Sequence, residues 1–372
     1  MKIRSAPFLT ALTLLVASLM ATAPAFGQAT GARGDYFTYR FRPGDILLTL
    51  SQRFTHNEDN WKAIREINGI ADQYKIPVGF ELKVPFSMID EIPAVATISH
   101  LRGKAFVNGL PIRETGGQIQ EGSVVAAGPD SNVTLTLPDK SKVLVPADSS
   151  VTAKRLRQFS GTGYIDAIFT IEKGDVQSHV DPGVQGVGRF EIRTPVSVTG
   201  VRGTIVRAGM LQNQGAYSAI VKGHADVSQP GATAITSLTA NQGLVSDSQG
   251  RAQAARSLLP PPVLRPLPGQ RQNQISQVQF DPVPGAVAYQ VILADDAEGY
   301  DVLWSRRITE TQVRLPAVRT GTVYALIRSV DDQGLAGADS VLPLQQIMNT
   351  INDGQGSPVA TGSGEYLLRT TD

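Results

Sequence analysis

The chain has 372 residues, which predicts two or three domains at roughly 150 residues each. Its 34 basic and 33 acidic residues give a net charge of +1, which argues against a nucleic-acid-binding protein with a clearly basic domain. The absence of cysteine excludes disulfides, thiolate zinc sites and cysteine nucleophiles. With 36 Gly, 23 Pro and 41% hydrophobic residues, the composition indicates a mainly β, multidomain protein with many turns.

Residues 1–27 are predicted to form a signal peptide. Lys2 and Arg4 precede an uncharged apolar stretch, and small residues follow it with the spacing of a cleavage site after Ala25 or Gly27. A membrane anchor is the alternative, but a spanning helix needs about 20 apolar residues and this stretch is shorter. We therefore expect a cleaved protein in the periplasm or outside the cell, with no transmembrane segment after cleavage.

Residues 36–86 predict a small α+β domain with the order β-α-α-β. Alternation around Tyr39 indicates a strand, and apolar residues then recur at helical spacing in two short segments. Asp45 is expected to cap the first helix. Asn68-Gly69 ends the second helix, and Gly79 opens the last strand. The two strands are expected to pair antiparallel, with both helices on one face.

The run YRFRPGDILLTLSQRF, followed by NWKAIREINGI and IPVGFELKVP, resembles a LysM domain. The matching residues are Gly44, Asp45, Leu47, Trp61, Ile64, Asn68, Ile76, Gly79, Leu82, Val84 and Pro85. Ile46 departs from the pattern, because the family usually carries Thr there. Trp61 falls on the apolar stripe of its helix and is expected in the core rather than as a sugar platform.

The LysM resemblance implies binding of glycans that contain N-acetylglucosamine, such as peptidoglycan. The family's groove lies between the loop after the first strand and the loop before the second strand. In this sequence the implied glycan-binding residues are Gly44, Asp45, Ile46, Leu47, Ile70, Ile76, Pro77 and Gly79. Each also has a structural explanation: turns for the glycines, capping for Asp45 and core packing for Leu47.

Residues 94–247 alternate repeatedly between short strands and turns, which predicts an all-β domain. The stretches NVTLTLPDKSKVLVP and FEIRTPVSVTGVRGTIVRAG resemble a FecR domain. Asp139-Lys140 stands where the family usually has a D-G turn. Arg202 lies between two glycines of the most specific stretch, and a structural tie is its simpler explanation. The family is known from periplasmic parts of transmembrane regulators; behind a cleavable signal peptide, the resemblance favours protein interaction or scaffolding over direct sigma-factor control.

The remaining sequence predicts a linker, a second β domain and a tail. Residues 248–272 are a Pro-rich linker, and residues 346–372 are rich in Gly, Ser and Thr and are predicted to be disordered. Residues 273–345 alternate like strands, and VPGAVAY and YALIRSVDDQGLAG resemble a fibronectin type III-like β-sandwich. Such domains usually act as spacers or binding modules.

Catalytic signatures are missing from the sequence. Its four histidines do not form H-E-x-x-H, and there is no G-x-S-x-G elbow or P-loop. His224 and Asp226 could pair, but no nucleophile accompanies them. The pairs Asp295-Asp296 and Asp331-Asp332 fall near predicted turns, where solvated carboxylates are expected. HNEDN at residues 56–60 is interpreted as a polar loop and helix cap, not a calcium loop.

These features predict a non-enzymatic cell-envelope protein without cofactor or metal. Its first module would bind peptidoglycan, and its β modules would present surfaces to periplasmic or outer-membrane proteins. One alternative is a signalling accessory that senses an envelope ligand through the FecR-like part. A wall hydrolase is a third possibility, which the missing catalytic groups disfavour.

Overall fold

The computed structural model describes residues 29–33, 36–180, 188–232, 234–265 and 277–346; of residues 29–33 and of Arg202 it describes the backbone but not the side chain. The predicted signal peptide and residues 347–372 of the predicted tail lie outside the described residues. Strands dominate the described part, which confirms the prediction of a mainly β, multidomain chain.

The first module has the predicted β-α-α-β order. A three-stranded sheet contains β1 (Ala29–Arg33), β2 (Tyr36–Arg40) and β3 (Glu81–Pro85), while α1 (Leu47–Thr55) and α2 (Trp61–Ile67) lie between β2 and β3. Strands β2 and β3 are antiparallel, with Tyr39 opposite Leu82. Alternating side chains of both strands meet the helices in one apolar core.

A seventeen-stranded network follows. Its strands are β4 Glu91–Pro93, β5 Ala96–Arg102, β6 Ala105–Val107, β7 Leu110–Ile112, β8 Gln118–Ile119, β9 Val124–Ala127, β10 Asn132–Thr136, β11 Lys142–Val145, β12 Ser150–Phe159, β13 Ile165–Lys173, β14 Asp175–His179, β15 Arg189–Arg193, β16 Val198–Met210, β17 Ala216–Ser228, β18 Ile235–Thr239, β19 Gln242–Ser246 and β20 Arg256–Ser257. Strands β13 and β15 pair in parallel, and β16 and β17 form a long antiparallel ladder.

The turn at Asp139-Lys140 shows how the chain replaces the expected glycine. Lys140 adopts a left-handed backbone with φ 71°, the conformation that glycine takes most easily. Both carboxylate oxygens of Asp139 accept hydrogen bonds from Ser141, one from its N–H and one from its hydroxyl. These bonds hold the turn between β10 and β11 in register without a glycine.

The last module has two sheets that face each other across one core. Strands β21 (Leu264–Arg265), β22 (Gln277–Phe280) and β25 (Gln312–Arg314) form one sheet. The other has the order β24-β23-β26-β27, from β23 Ala288–Ala294, β24 Val302–Ile308, β26 Gly321–Val330 and β27 Ala336–Gln346. This is a β-sandwich of three and four strands, while the fibronectin type III-like assignment stays a prediction.

The described part of the predicted linker is paired along both β modules. Strand β20 adds to β19 of the network, and β21 adds to β22 of the sandwich. The carbonyl of Pro260 accepts a hydrogen bond from the Ser329 hydroxyl at 3.1 Å. Pairing of this kind satisfies backbone groups that a free linker would leave to water.

Asp331 corrects one expectation. The sequence predicts a solvated turn residue, whereas Asp331 is buried and its carboxylate accepts the N–H groups of Gln333 and Leu335 at 2.9 Å each. Arg256 of β20 lies 2.9 Å from the same carboxylate. The turn can pack against the network because donors from the sandwich and from Arg256 of the network together satisfy the buried carboxylate.

The first module is packed onto the network through the β12–β13 hairpin. Phe159 and Tyr164 at its tip lie in the core of the first module, and the Phe159 ring centroid is 4.4 Å from that of Phe86. His56 Nδ1 lies 3.1 Å from the Asp90 carboxylate at the same contact. This contact fixes the orientation of the first module relative to the network.

Candidate glycan-binding site

Two loops of the first module meet at one end of its sheet. The Phe41 carbonyl accepts the Gly79 N–H at 2.8 Å, and the Phe41 N–H donates to the Phe80 carbonyl at 2.9 Å. The first loop, residues 42–46, follows Phe41 in the chain, and the second loop, residues 70–79, ends at Gly79. The structure thus joins, through backbone hydrogen bonds, the two segments that carry the predicted glycan-binding residues.

Asp45 closes the first loop rather than capping α1, which corrects the expected cap. Its Oδ2 accepts the Arg42 N–H at 2.7 Å and the Tyr39 hydroxyl at 2.9 Å. The N-cap position of α1 is Ile46, whose side chain makes no capping bond. The Asp45 carboxylate is bonded within this turn before α1 begins. The first N–H groups of α1 therefore receive no side-chain cap from Asp45.

Glycine allows the bends on both sides of the site. Gly44 and Gly79 have φ of 88° and 89°, which disfavours any residue with a side chain. A Cβ atom at either position would meet no other heavy atom within 4 Å, so the space beside each backbone is open. Open space of this kind lets a ligand approach the loop backbone closely, while the Gly79 N–H itself is bonded to the Phe41 carbonyl.

The candidate residues divide by exposure. Ile46 is 52% exposed, and Gly44, Pro77 and Gly79 are exposed as well. Asp45, Ile70 and Ile76 are partly buried, with both isoleucines packed against the core. Leu47 is fully in the core, so its side chain cannot cover a sugar.

Sequence reasoning missed two residues of the second loop. Val78 is 65% exposed and Tyr74 is 83% exposed, although both are large apolar side chains. An apolar residue between Pro77 and Gly79 is the signal that could have found Val78, since a turn flank is usually polar. Exposed apolar side chains on both loops give the site a surface suited to an acetamide methyl or a sugar face.

Asn68 positions the second loop. Its side-chain amide donates to the carbonyls of Ile64 and Lys83 at 2.7 Å each, and its Oδ1 accepts the Lys83 N–H at 2.7 Å. These bonds tie the end of α2 to β3 on either side of residues 70–79. Trp61 is partly buried against the core, as expected, with the Arg65 guanidinium 5.8 Å from its ring centroid.

A separate cleft of about 870 Å³ lies between the first module and the network. Arg189 donates to both oxygens of Asp166 at 2.7 Å, and Arg155 contacts the same carboxylate. His224 and Asp226 both line this cleft, but the Asp226 carboxylate accepts the Ser237 hydroxyl at 2.6 Å. The cleft therefore holds an ion-pair network centred on Asp166.

Family models match two segments of the chain. Residues 39–85 match the LysM domain, and residues 123–226 match FecR protein. The first match spans both loops of the candidate site. The second lies inside the predicted all-β domain of residues 94–247. The chain therefore carries a LysM domain and a FecR domain.

Solved structures offer a weaker likeness. A "putative anti-sigma factor from Parabacteroides distasonis ATCC 8503" is 15% identical over 36% of this chain and 59% of its own, with a TM-score of 0.30. The "extracellular domain of the putative one component system BT4673 from B. thetaiotaomicron" is 8% identical over 70% of this chain and 58% of its own, with a TM-score of 0.17. The chain thus spans about three fifths of the length of the structures it matches. No curated protein matches it significantly.

The residues that the structure describes contain neither a candidate membrane-spanning helix nor a candidate metal site. No helix there is both long and apolar enough to cross a membrane. No cluster of three or more His, Asp or Glu side chains there could hold a metal ion.

Proposed function

We propose that this protein is a non-enzymatic component of the bacterial cell envelope that binds peptidoglycan through its LysM domain. The FecR domain and the sandwich then present surfaces to periplasmic or outer-membrane proteins. The supporting observation is the pair of loops held at Phe41 and Gly79, because both carry exposed backbone and exposed apolar side chains.

The binding mechanism follows from the composition of the loops. The open space beside Gly44 and Gly79 leaves the loop backbone accessible, and peptide groups that are not bonded within the loops would pair with an acetamide. Ile46 and Val78 cover the methyl group and the apolar face of the sugar. No charged side chain is required, so binding should depend little on salt.

The test is co-sedimentation of the full chain with purified peptidoglycan. Ile46→Asp and Val78→Asp place a charge on each loop, and because both side chains are exposed we expect the fold to survive. Each substitution should lower the pelleted fraction severalfold, and a soluble N-acetylglucosamine oligomer should compete with the unaltered protein.

Leu110→Asp is the matched control, since Leu110 is 72% exposed on β7 of the network, away from the loops. It should pellet like the unaltered protein. If Ile46→Asp and Val78→Asp pellet equally well, the loops are not the binding site. Release of soluble muropeptides from the wall would contradict the non-enzymatic part of the proposal.

A signalling accessory is the second candidate, and the FecR match supports it. In that role the FecR domain would sense an envelope ligand and pass the change to a protein partner. Deleting the gene and measuring transcription separates the two functions, because a scaffold should leave the response to envelope ligands unchanged.

A further inference from the structure

A cavity of about 250 Å³ lies between the network and the four-stranded sheet of the sandwich, apart from the LysM loops. Its lining combines guanidinium groups with apolar side chains. The polar lining includes Gln177, Arg207, Arg307 and Arg328, and the apolar lining includes Leu144, Ile292 and Val302. Both modules contribute, so the cavity exists only when they are packed together.

Two buried arginines form the floor of the cavity. Arg207 and Arg328, each 4% exposed, come from β16 and β26. Both donate to Oε1 of Gln177, at 3.0 and 2.8 Å, and both contact the Asp339 carboxylate, at 2.5 and 2.6 Å. Nη2 of Arg328 is buried without a hydrogen-bond partner among the described residues.

The local charges favour an added anion. Arg207 and Arg328 share the single carboxylate of Asp339, and Arg307 adds a third guanidinium to the lining. Asp175, the carboxylate of the lining itself, accepts the Tyr217 hydroxyl at 2.9 Å, and burial raises its pKa. Burial, and next the charge of Arg207, lower the pKa of Arg328 to about 10. An anion in the cavity would offset this shift, because a nearby negative charge favours the charged guanidinium.

We propose that this cavity binds a small organic carboxylate with an apolar body. A guanidinium is planar and donates bidentately to a carboxylate, which suits Arg307 at the wall and the free donor of Arg328 at the floor. Leu144, Ile292 and Val302 then contact the apolar body of the ligand. The volume is below the roughly 300–1,000 Å³ of pockets for drug-sized ligands, which limits the ligand to a small metabolite.

Carboxylate binding in this cavity can be measured separately from glycan binding, because the cavity lies apart from the LysM loops. Titration calorimetry of the full chain would use butyrate as the probe and phosphate as the comparison, with chloride holding the ionic strength constant. Butyrate should bind saturably and raise the thermal midpoint, whereas phosphate should bind at least tenfold more weakly. Equal binding of phosphate and butyrate would overturn the carboxylate class, and no binding of butyrate would overturn the site.

Neighbouring residues provide matched variants. Arg307→Ala should weaken butyrate binding about tenfold or more, because a charge-assisted hydrogen bond is lost. Arg306→Ala, at the adjacent and also exposed position outside the cavity lining, should bind like the unaltered protein. Ser305→Phe should block the cavity sterically without removing a charge. Unchanged binding in both Arg307→Ala and Ser305→Phe would place the ligand elsewhere.

Discussion

Asp45 fixes the shape of the first loop of the candidate site, residues 42–46, through two hydrogen bonds. Asp45→Ala removes the acceptor for the Arg42 N–H and for the Tyr39 hydroxyl, and Tyr39 is only 1% exposed. A buried donor without a partner costs about 1–3 kcal/mol, so the free energy of unfolding should fall by that amount. Urea unfolding measures it. Adding Tyr39→Phe should recover part of the loss, whereas a double variant no more stable than Asp45→Ala would show that the phenol does not matter.

The same contact makes stability depend on alkaline pH. Burial, and then the hydrogen bond to Asp45, raise the pKa of Tyr39 above its usual value of about 10. The folded state therefore holds this proton more tightly than the unfolded state. The resulting stability is present below about pH 10 and is lost as the pH rises through the folded pKa. Tyr39→Phe should remove this part of the alkaline loss in urea unfolding; an unchanged pH profile would contradict it.

At the scale of elements, the β12–β13 hairpin joins the LysM domain to the FecR domain. Phe159 is buried in the core of the LysM domain, although it belongs to a strand of the network. Phe159→Ala should lower the free energy of unfolding by about 3–5 kcal/mol, because it leaves a cavity between the two domains. Calorimetry should then resolve an earlier transition for the LysM domain. Leu110→Ala, at a 72% exposed position, should melt like the unaltered protein.

The sequence predicts contacts between residues that are near in the chain better than contacts between remote segments. Alternation marks Val133, Leu135 and Val143 as inward-facing, and all three are buried. The same pattern implies that Thr134 faces water, yet it is fully buried and donates to the Tyr300 carbonyl at 2.5 Å. The alternation of a strand indicates which of its faces is buried in the nearby core. When a remote module covers the other face, the local sequence carries no sign of it.

The candidate site also combines features that the local sequence predicts with features that depend on tertiary packing. Local turn chemistry places Gly44 and Gly79, because left-handed backbone favours glycine and the sequence displays it directly. The acceptor role of Asp45 depends on the Tyr39 hydroxyl, which approaches only after the strand and loop have packed. The interdomain cavity was out of reach for the same reason, since Gln177 and Arg328 are 151 positions apart.

At the scale of the whole molecule, Asp339 holds the sandwich against the FecR domain. Asp339→Asn leaves Arg207 and Arg328 buried without their shared carboxylate, and breaking such a pair costs about 3–5 kcal/mol. Urea unfolding at neutral pH should show that loss. Asp281→Asn is the matched control, because its contact with Arg265 is exposed and such pairs contribute about 0–1 kcal/mol.

Acidification tests whether the charge of Asp339 is responsible. Burial alone would raise the pKa of Asp339, but the charges of Arg207 and Arg328 outweigh it and hold the pKa below its usual value of about 3.9. The stability that this carboxylate gives is therefore present above about pH 4 and is lost as the pH falls through the folded pKa. The gap between Asp339→Asn and the unaltered protein should shrink over that interval. A gap that stays constant down to the acid transition would mean that the shape of the side chain, and not its charge, joins the two domains.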